Sequence, residues 1–284
     1  MKKHKEYGNM KIVVNPSQIQ IPQLSDQELC DLRQARLLLE QPTLAMRMTQ
    51  HLGRPVERVM EAMPRIIRAT IETSSVVALR QATRVATWTL NKKQVRPSSE
   101  GFHQVALLVS GGMGGTLGLA TLIWELPLST TLMLRSIADI ARSEGHSLRS
   151  PETLTSCLEV FAMEGGSESH PEHTHHYWAV RLALAKAVSE ATVALAGAQA
   201  AKGATIAFTR LISVVAARFG LILSQQAAAK MVPLIGAAGG MAVNLLFIRH
   251  FQNMARGHFI IRRLEKKYGT EAMKTLYRSV ALPI

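Results

Sequence analysis

Apolar residues recur at three- and four-residue spacing almost without a break from Ser25 to Tyr268, while strand-like alternation is nearly absent. A chain patterned this way buries its apolar faces by packing helix on helix. The expectation is an all-α fold, a single multi-helix domain over residues 25–284 with a short N-terminal arm, 1–24. The 284 residues suffice for a substantial core, and 47% hydrophobic against 19% charged is not a disordered composition.

Local signals mark several boundaries. Ser25 with Glu28 three positions on reads as a capping box opening the first helix, whose apolar face is Leu29, Leu32, Ala35, Leu38 and Leu39. Pro42, Pro55 and Pro64 divide the next region, and Pro64 introduces a long helix from Arg65 to Leu90. A helix over 125–145 holds Pro127 in its first turn and ends at Gly145. Ser150-Pro151-Glu152 opens another, ending at Gly165-Gly166. Three helical segments follow from Tyr177 to Val232, and a last long one covers 234–268.

Two uncharged stretches raise the question of membrane insertion by their length: 24 residues between Glu100 and Glu125, and 18 between Lys230 and Arg249. Their glycines lower the hydrophobicity and fall four apart, as in Gly111/Gly115, Gly114/Gly118 and Gly236/Gly240. That spacing lets helix backbones approach closely, in lipid or in a soluble core. VALLVSGGMGG (105–115) imitates a nucleotide-binding loop, but Leu117 occupies the third glycine position and no βαβ unit surrounds it. No cofactor is expected.

Three stretches, "WELPLSTTLMLRSIADIARSEG" (124–145), "YWAVRLALAKAVSEA" (177–191) and "RFGLILSQQAAAKMVPLIGAAGGMAVNLLFIRHFQNMARGHFIIRRLEKKYG" (218–269), together resemble the EcsC protein family over roughly residues 25–280. The resemblance implies a bacterial, helical protein whose family is named from an operon that also encodes an ATP-driven transporter. It brings no reaction and no established active site. A link to transport or secretion is what operon neighbourhood implies.

Chemistry-bearing residues are few. HPEHTHH (170–176) gathers histidines in a polar loop without the HExxH helix pair of a zinc enzyme, and no metal is expected there. On the helix opened by Glu125-Leu126-Pro127, Glu125, Ser129, Ser136, Asp139 and Ser143 share one side with Arg135 at its edge; Leu126, Met133, Leu134, Ile137 and Ala141 oppose them. Water is the expected neighbour of the polar side. On the last long helix, Asn244, Phe247, Phe251, Ala255, His258 and Arg262 form one stripe and His250 points elsewhere, so the two histidines are no chelating pair. Arg249, Arg256, Arg263 and Lys267 gather on the far side as a basic flank.

The candidate pocket residues are therefore Glu125, Arg135, Asp139, Asn244, His258 and Arg262. The candidate surface for a membrane or a partner is Arg249, Arg256, Arg263 and Lys267. No nucleophile with a partnered base is evident, so no catalytic residue is assigned. The net charge of +13 suits acidic partners. No nucleic-acid motif accompanies it, which favours an anionic membrane surface or a membrane protein over specific nucleic acid. A homo-oligomer stays open. The isolated Cys30 and Cys157 and the lack of a secretory apolar run fit a cytoplasmic protein, peripheral on the inner membrane face. The competing reading is a hydrolase-like enzyme using Glu125, Asp139 and His258.

Overall fold

The computed structural model describes residues 22–44, 47, 59, 61–89, 122–164, 176–197, 201–230 and 236–280. Among the described residues the chain forms eight helices and no strand. They are α1 (Asp26–Leu39), α2 (Arg65–Thr89), α3 (Leu122–Ser143), α4 (Pro151–Val160), α5 (His176–Ala196), α6 (Ala201–Lys230), α7 (Gly236–Tyr268) and α8 (Thr270–Ser279). Most of the arm, the glycine-rich run 101–121, the histidines at 170, 173 and 175, and residues 231–235 lie outside the described residues.

The local signals act where the sequence places them. Ser25 caps α1, its hydroxyl accepting from the Glu28 backbone N–H while the Glu28 carboxylate accepts from the Ser25 N–H at 3.0 Å. Several boundaries differ from expectation, and α4 ends at Val160 rather than at Gly165-Gly166. α3 begins at Leu122, so Pro127 lies inside the helix rather than in its first turn. α6 runs unbroken through Gly220 instead of dividing there into two shorter helices. A Cβ at Gly220 would sit 3.5 Å from Ser75 Oγ and 3.7 Å from Glu72 Cα, ordinary contact distances where α6 packs on α2.

α7 is the axis of the molecule. It packs on α1 and α3, and further along on α4, α6 and α8, while α2–α3, α2–α6, α4–α5 and α5–α6 pair around it. At its centre Phe247 and Phe251 meet Phe219 of α6 and Phe161 beyond α4, with ring centroids 4.9–6.5 Å apart. Each such pair contributes about 0.5–1.5 kcal/mol beyond simple burial. A helix enclosed on so many sides reaches solvent only along a limited edge that includes Arg249, Arg263, Lys266 and Lys267. His250, expected to turn away from the buried stripe, is as fully enclosed as His258.

The close crossing of α1 and α7 depends on Gly257, where a Cβ would come within 2.7 Å of Leu39 Cγ and 3.0 Å of the Ala35 carbonyl oxygen. α7 stops at Gly269, whose φ of +83° is a conformation that L side chains rarely adopt. The chain then turns into α8, which the periodicity does not indicate.

Candidate functional site

The helical spacing of α7 carries His258 inward to a cluster of polar side chains from three helices. Tyr177 and Arg181 arrive one turn apart on α5, Glu159 from the end of α4, and Arg262 and Glu265 from the following turns of α7. Arg181 donates twice to Glu265, at 2.8 and 3.1 Å, and again to the Tyr177 hydroxyl at 3.3 Å. That hydroxyl lies 3.1 Å from His258 Nδ1. The Tyr177 oxygen accepts from Arg181 and shares one proton with His258 Nδ1. Nε2 faces Glu159 Oε2 at 3.6 Å, beyond hydrogen-bond reach.

Burial governs the charges here. It holds His258 well below the usual histidine range, and the Arg181 and Arg262 guanidiniums act in the same direction. It raises Glu159 against the pull of the same two arginines. His258 and Glu159 are thus a neutral imidazole beside a carboxyl that resists ionisation, rather than an ion pair. Arg262 lies 3.6 Å from Glu265, completing a network in which the Glu265 carboxylate faces two guanidiniums. Removing one member of a buried pair of this kind costs about 3–5 kcal/mol, because the other charge is left stranded.

An aromatic layer adjoins the cluster. The Arg181 guanidinium stacks on Trp178 at 4.9 Å, and Trp178 meets Tyr277 of α8 edge-on at 5.9 Å. Tyr277 donates to Glu40 at 2.8 Å, and Arg36 lies over its ring while donating to the Val280 carbonyl. The other buried histidines serve packing. His250 Nε2 donates to the Met163 carbonyl and Nδ1 accepts from Arg47; burial then pushes its pKa to about 3. His146 donates to the Phe259 carbonyl, and burial pushes it to about 4.

The expected pocket residues do not assemble as one group. His258 and Arg262 do come together. Asn244 lies fourteen residues up α7, about 21 Å away along the axis, where it accepts from Gln226 at 3.0 Å. Asp139 pairs with Arg142 on its own helix at 2.9 Å. Arg135 is half-buried on α3. The Glu125 side chain lies outside the described residues. The polar side of α3 is also less solvated than expected, for Ser136 is buried and accepts from Gln252 of α7 at 2.9 Å.

The basic flank of α7 is largely committed within the chain. Arg263 reaches Asp31 at 2.9 Å and Glu144 at 3.3 Å, Arg256 lies 3.6 Å from Glu144, and Lys267 is 2.7 Å from Glu28. Lys267, the Ser25 N–H and Tyr268 together hold the Glu28 carboxyl down at about 2. Arg249 is exposed. The basic face lies at the surface, with Arg263 44% and Lys267 61% exposed, and three of its four cations also form a seam joining α7 to α1 and to the end of α3.

The sequence alone does not single out Tyr177, Arg181, Glu159 or Glu265. A faint signal for two of them exists: Arg181 interrupts the apolar run YWAVRLALA, and Glu159 stands between Leu158 and Val160. Among the described residues, no three His, Cys, Asp or Glu side chains are placed to hold a metal ion. Cys30 is exposed, and the buried Cys157 thiol is pushed up by burial, away from the reactive thiolate.

No curated protein and no solved structure matches the chain. The sequence model of the EcsC protein family does match, over residues 27–264, a span that runs from α1 to the residue before Glu265. The chain belongs to the EcsC protein family.

Proposed function

We propose that this EcsC-family chain is a non-catalytic binding or accessory protein that works at the cytoplasmic face of a membrane. The observation that carries the reading is α6. Its segment Thr205–Ala229 has a mean hydropathy of 1.9, enough by length and composition to cross a membrane, yet 44% of it is buried within the protein. A helix this apolar with so much surface uncovered suits a lipid or membrane-protein neighbour. The net charge of +13 supports an anionic one. The His258 cluster supports a structural rather than a chemical role, because its titratable groups are enclosed and directed at one another. A link to transport or secretion rests on the family's operon neighbourhood.

Fractionation of cells in a salt series tests the reading. The protein should pellet with membranes at low ionic strength and leave them as salt rises, because the Debye length shrinks from about 30 Å at 0.01 M to about 3 Å at 1 M. Recovery wholly in the supernatant at low salt overturns the membrane location. Resistance to both salt and alkaline wash replaces peripheral binding by insertion.

A further inference from the structure

α6 carries apolar residues on its outer side as well as its inner one. The inner side, including Leu211, Val215, Phe219 and Ile222, is fully buried in the core. The outer side leaves Ile206 71%, Val214 37% and Leu221 57% exposed. These three fall within an arc of about 80° and span about 22 Å of helix. Ser213 and Ala217 lie exposed between them, and Arg210 is the one charged residue exposed on this helix from Thr205 to Ala229.

The neighbouring helix continues this surface. Arg210 meets Glu190 of α5 at 3.3 Å, which sets the register of the α5–α6 hairpin. Leu182 and Val193 of α5 stand about 20° apart around their helix, on the side of Lys186 and Glu190. They are 77% and 69% exposed. The apolar surface therefore widens at both ends of the hairpin, with Lys186, Glu190 and Arg210 between. On the other neighbour of α6, α2 exposes Arg65, Arg68, Arg80 and Arg84 against Glu72.

We propose that the outward face of the α5–α6 hairpin is the surface that lies on an anionic bilayer. α6 lies in the membrane plane, and Ile206, Val214 and Leu221 enter the boundary between headgroups and acyl chains. The proposal rests on the membrane reading and names the surface and the lipid class that reading leaves open. An apolar stripe flanked by basic side chains is the arrangement by which a helix binds in the interface. The same surface paired with a second copy would set its own arginines and Lys186 against their counterparts, and like charges in contact are unfavourable. Crossing the bilayer would require α6 to withdraw Phe219 and its neighbours from the core, so the helix lies on the membrane instead. Arg256, Arg263 and Lys267 of α7 contribute little, being joined to Glu28, Asp31 and Glu144.

The test is cosedimentation of the full chain with vesicles of phosphatidylcholine alone and of phosphatidylcholine mixed with phosphatidylglycerol. Wild type should bind the mixed vesicles and leave the neutral ones. The double variant Val214→Glu/Leu221→Glu should lose at least about tenfold in affinity, since it places two carboxylates in the interface. Its far-ultraviolet circular dichroism should match wild type, both positions being exposed. An independent readout uses an environment-sensitive dye on Leu221→Cys in a Cys30→Ser background. Its emission should shift to the blue with mixed vesicles, whereas dye on Glu271→Cys should not respond. Equal binding by the double variant, or a shift at 271 and none at 221, overturns this surface and leaves the membrane reading standing. Binding to native membranes with none to mixed vesicles overturns the lipid as partner in favour of a membrane protein. Wild type that binds neither overturns the membrane reading itself.

Discussion

Glu159 is a carboxyl held in the protein interior between His258 and the arginines at 181 and 262, and its protonation should be visible in stability. Its pKa is raised in the folded state by burial. The native protein thus keeps a proton that the unfolded chain releases, and stability falls as pH climbs from the ordinary carboxylate value through the raised one. The variant Glu159→Gln lacks that loss. Thermal melts at about pH 5 and about pH 8 should show the variant gaining on wild type at the higher pH, by about 1.4 kcal/mol for each tenfold by which folding weakens the acid. A constant difference across the range would place Glu159 in an ordinary environment. The buried histidines run the other way, with their contribution lost as pH falls below about 6.5, and they cancel in this comparison. At this scale the sequence is informative only over short distances. The Ser25–Glu28 box lies within four residues and is legible there. The partners of His258 come from Tyr177, 81 positions away, and from Glu159 on another helix, so no local pattern could announce them.

Between α1 and α7 the decisive contact is an absent side chain. Gly257→Ala would press a methyl onto Leu39 and the Ala35 carbonyl, and a backbone oxygen cannot rotate aside. Overpacking of this kind costs about 1–3 kcal/mol. Gly197→Ala, whose Cβ would find only ordinary contact at 3.5 Å, should leave the melting temperature nearly unchanged and serves as the control. Equal effects of the two substitutions would remove close approach as the reason for Gly257. Helices are legible as elements because periodicity needs no partner to be seen. Their number and ends are less so. Gly220 reads as a stop but lies inside α6, and α8 is ten residues long with only Met273 and Tyr277 buried. The helical wheel of α7 identifies one buried stripe. It cannot reveal that other helices also cover the side His250 occupies, nor that Arg256, Arg263 and Lys267 meet carboxylates of α1 and of the end of α3.

For the molecule as a whole, helical periodicity specifies the fold class, while the order in which the described helices pack depends on contacts no single segment displays. One such contact is the seam of α1. Glu28 meets Lys267 and Tyr268, Glu40 meets Tyr277, and Asp31 meets Arg263, across sequence separations of 232 to 240 residues. The α5–α6 hairpin, by contrast, closes over a loop of a few residues. Long-range contacts form late, because the entropy of closing the intervening chain comes before any gain from the contact. Hydrogen-exchange pulse labelling during refolding should therefore find the amides of α5 and α6 protected first, and those of residues 26–39 only together with α7. Early protection of α1 would refute that order. During synthesis the same topology imposes a wait. About 240 residues, at about 5–20 residues per second, separate the emergence of α1 from that of its partners, an interval of roughly 10–50 s. Through that time α1 exposes Leu32, Ala35 and Leu39 without the surface that covers them in the finished protein, so the nascent chain is a client for whatever holds apolar helices in solution.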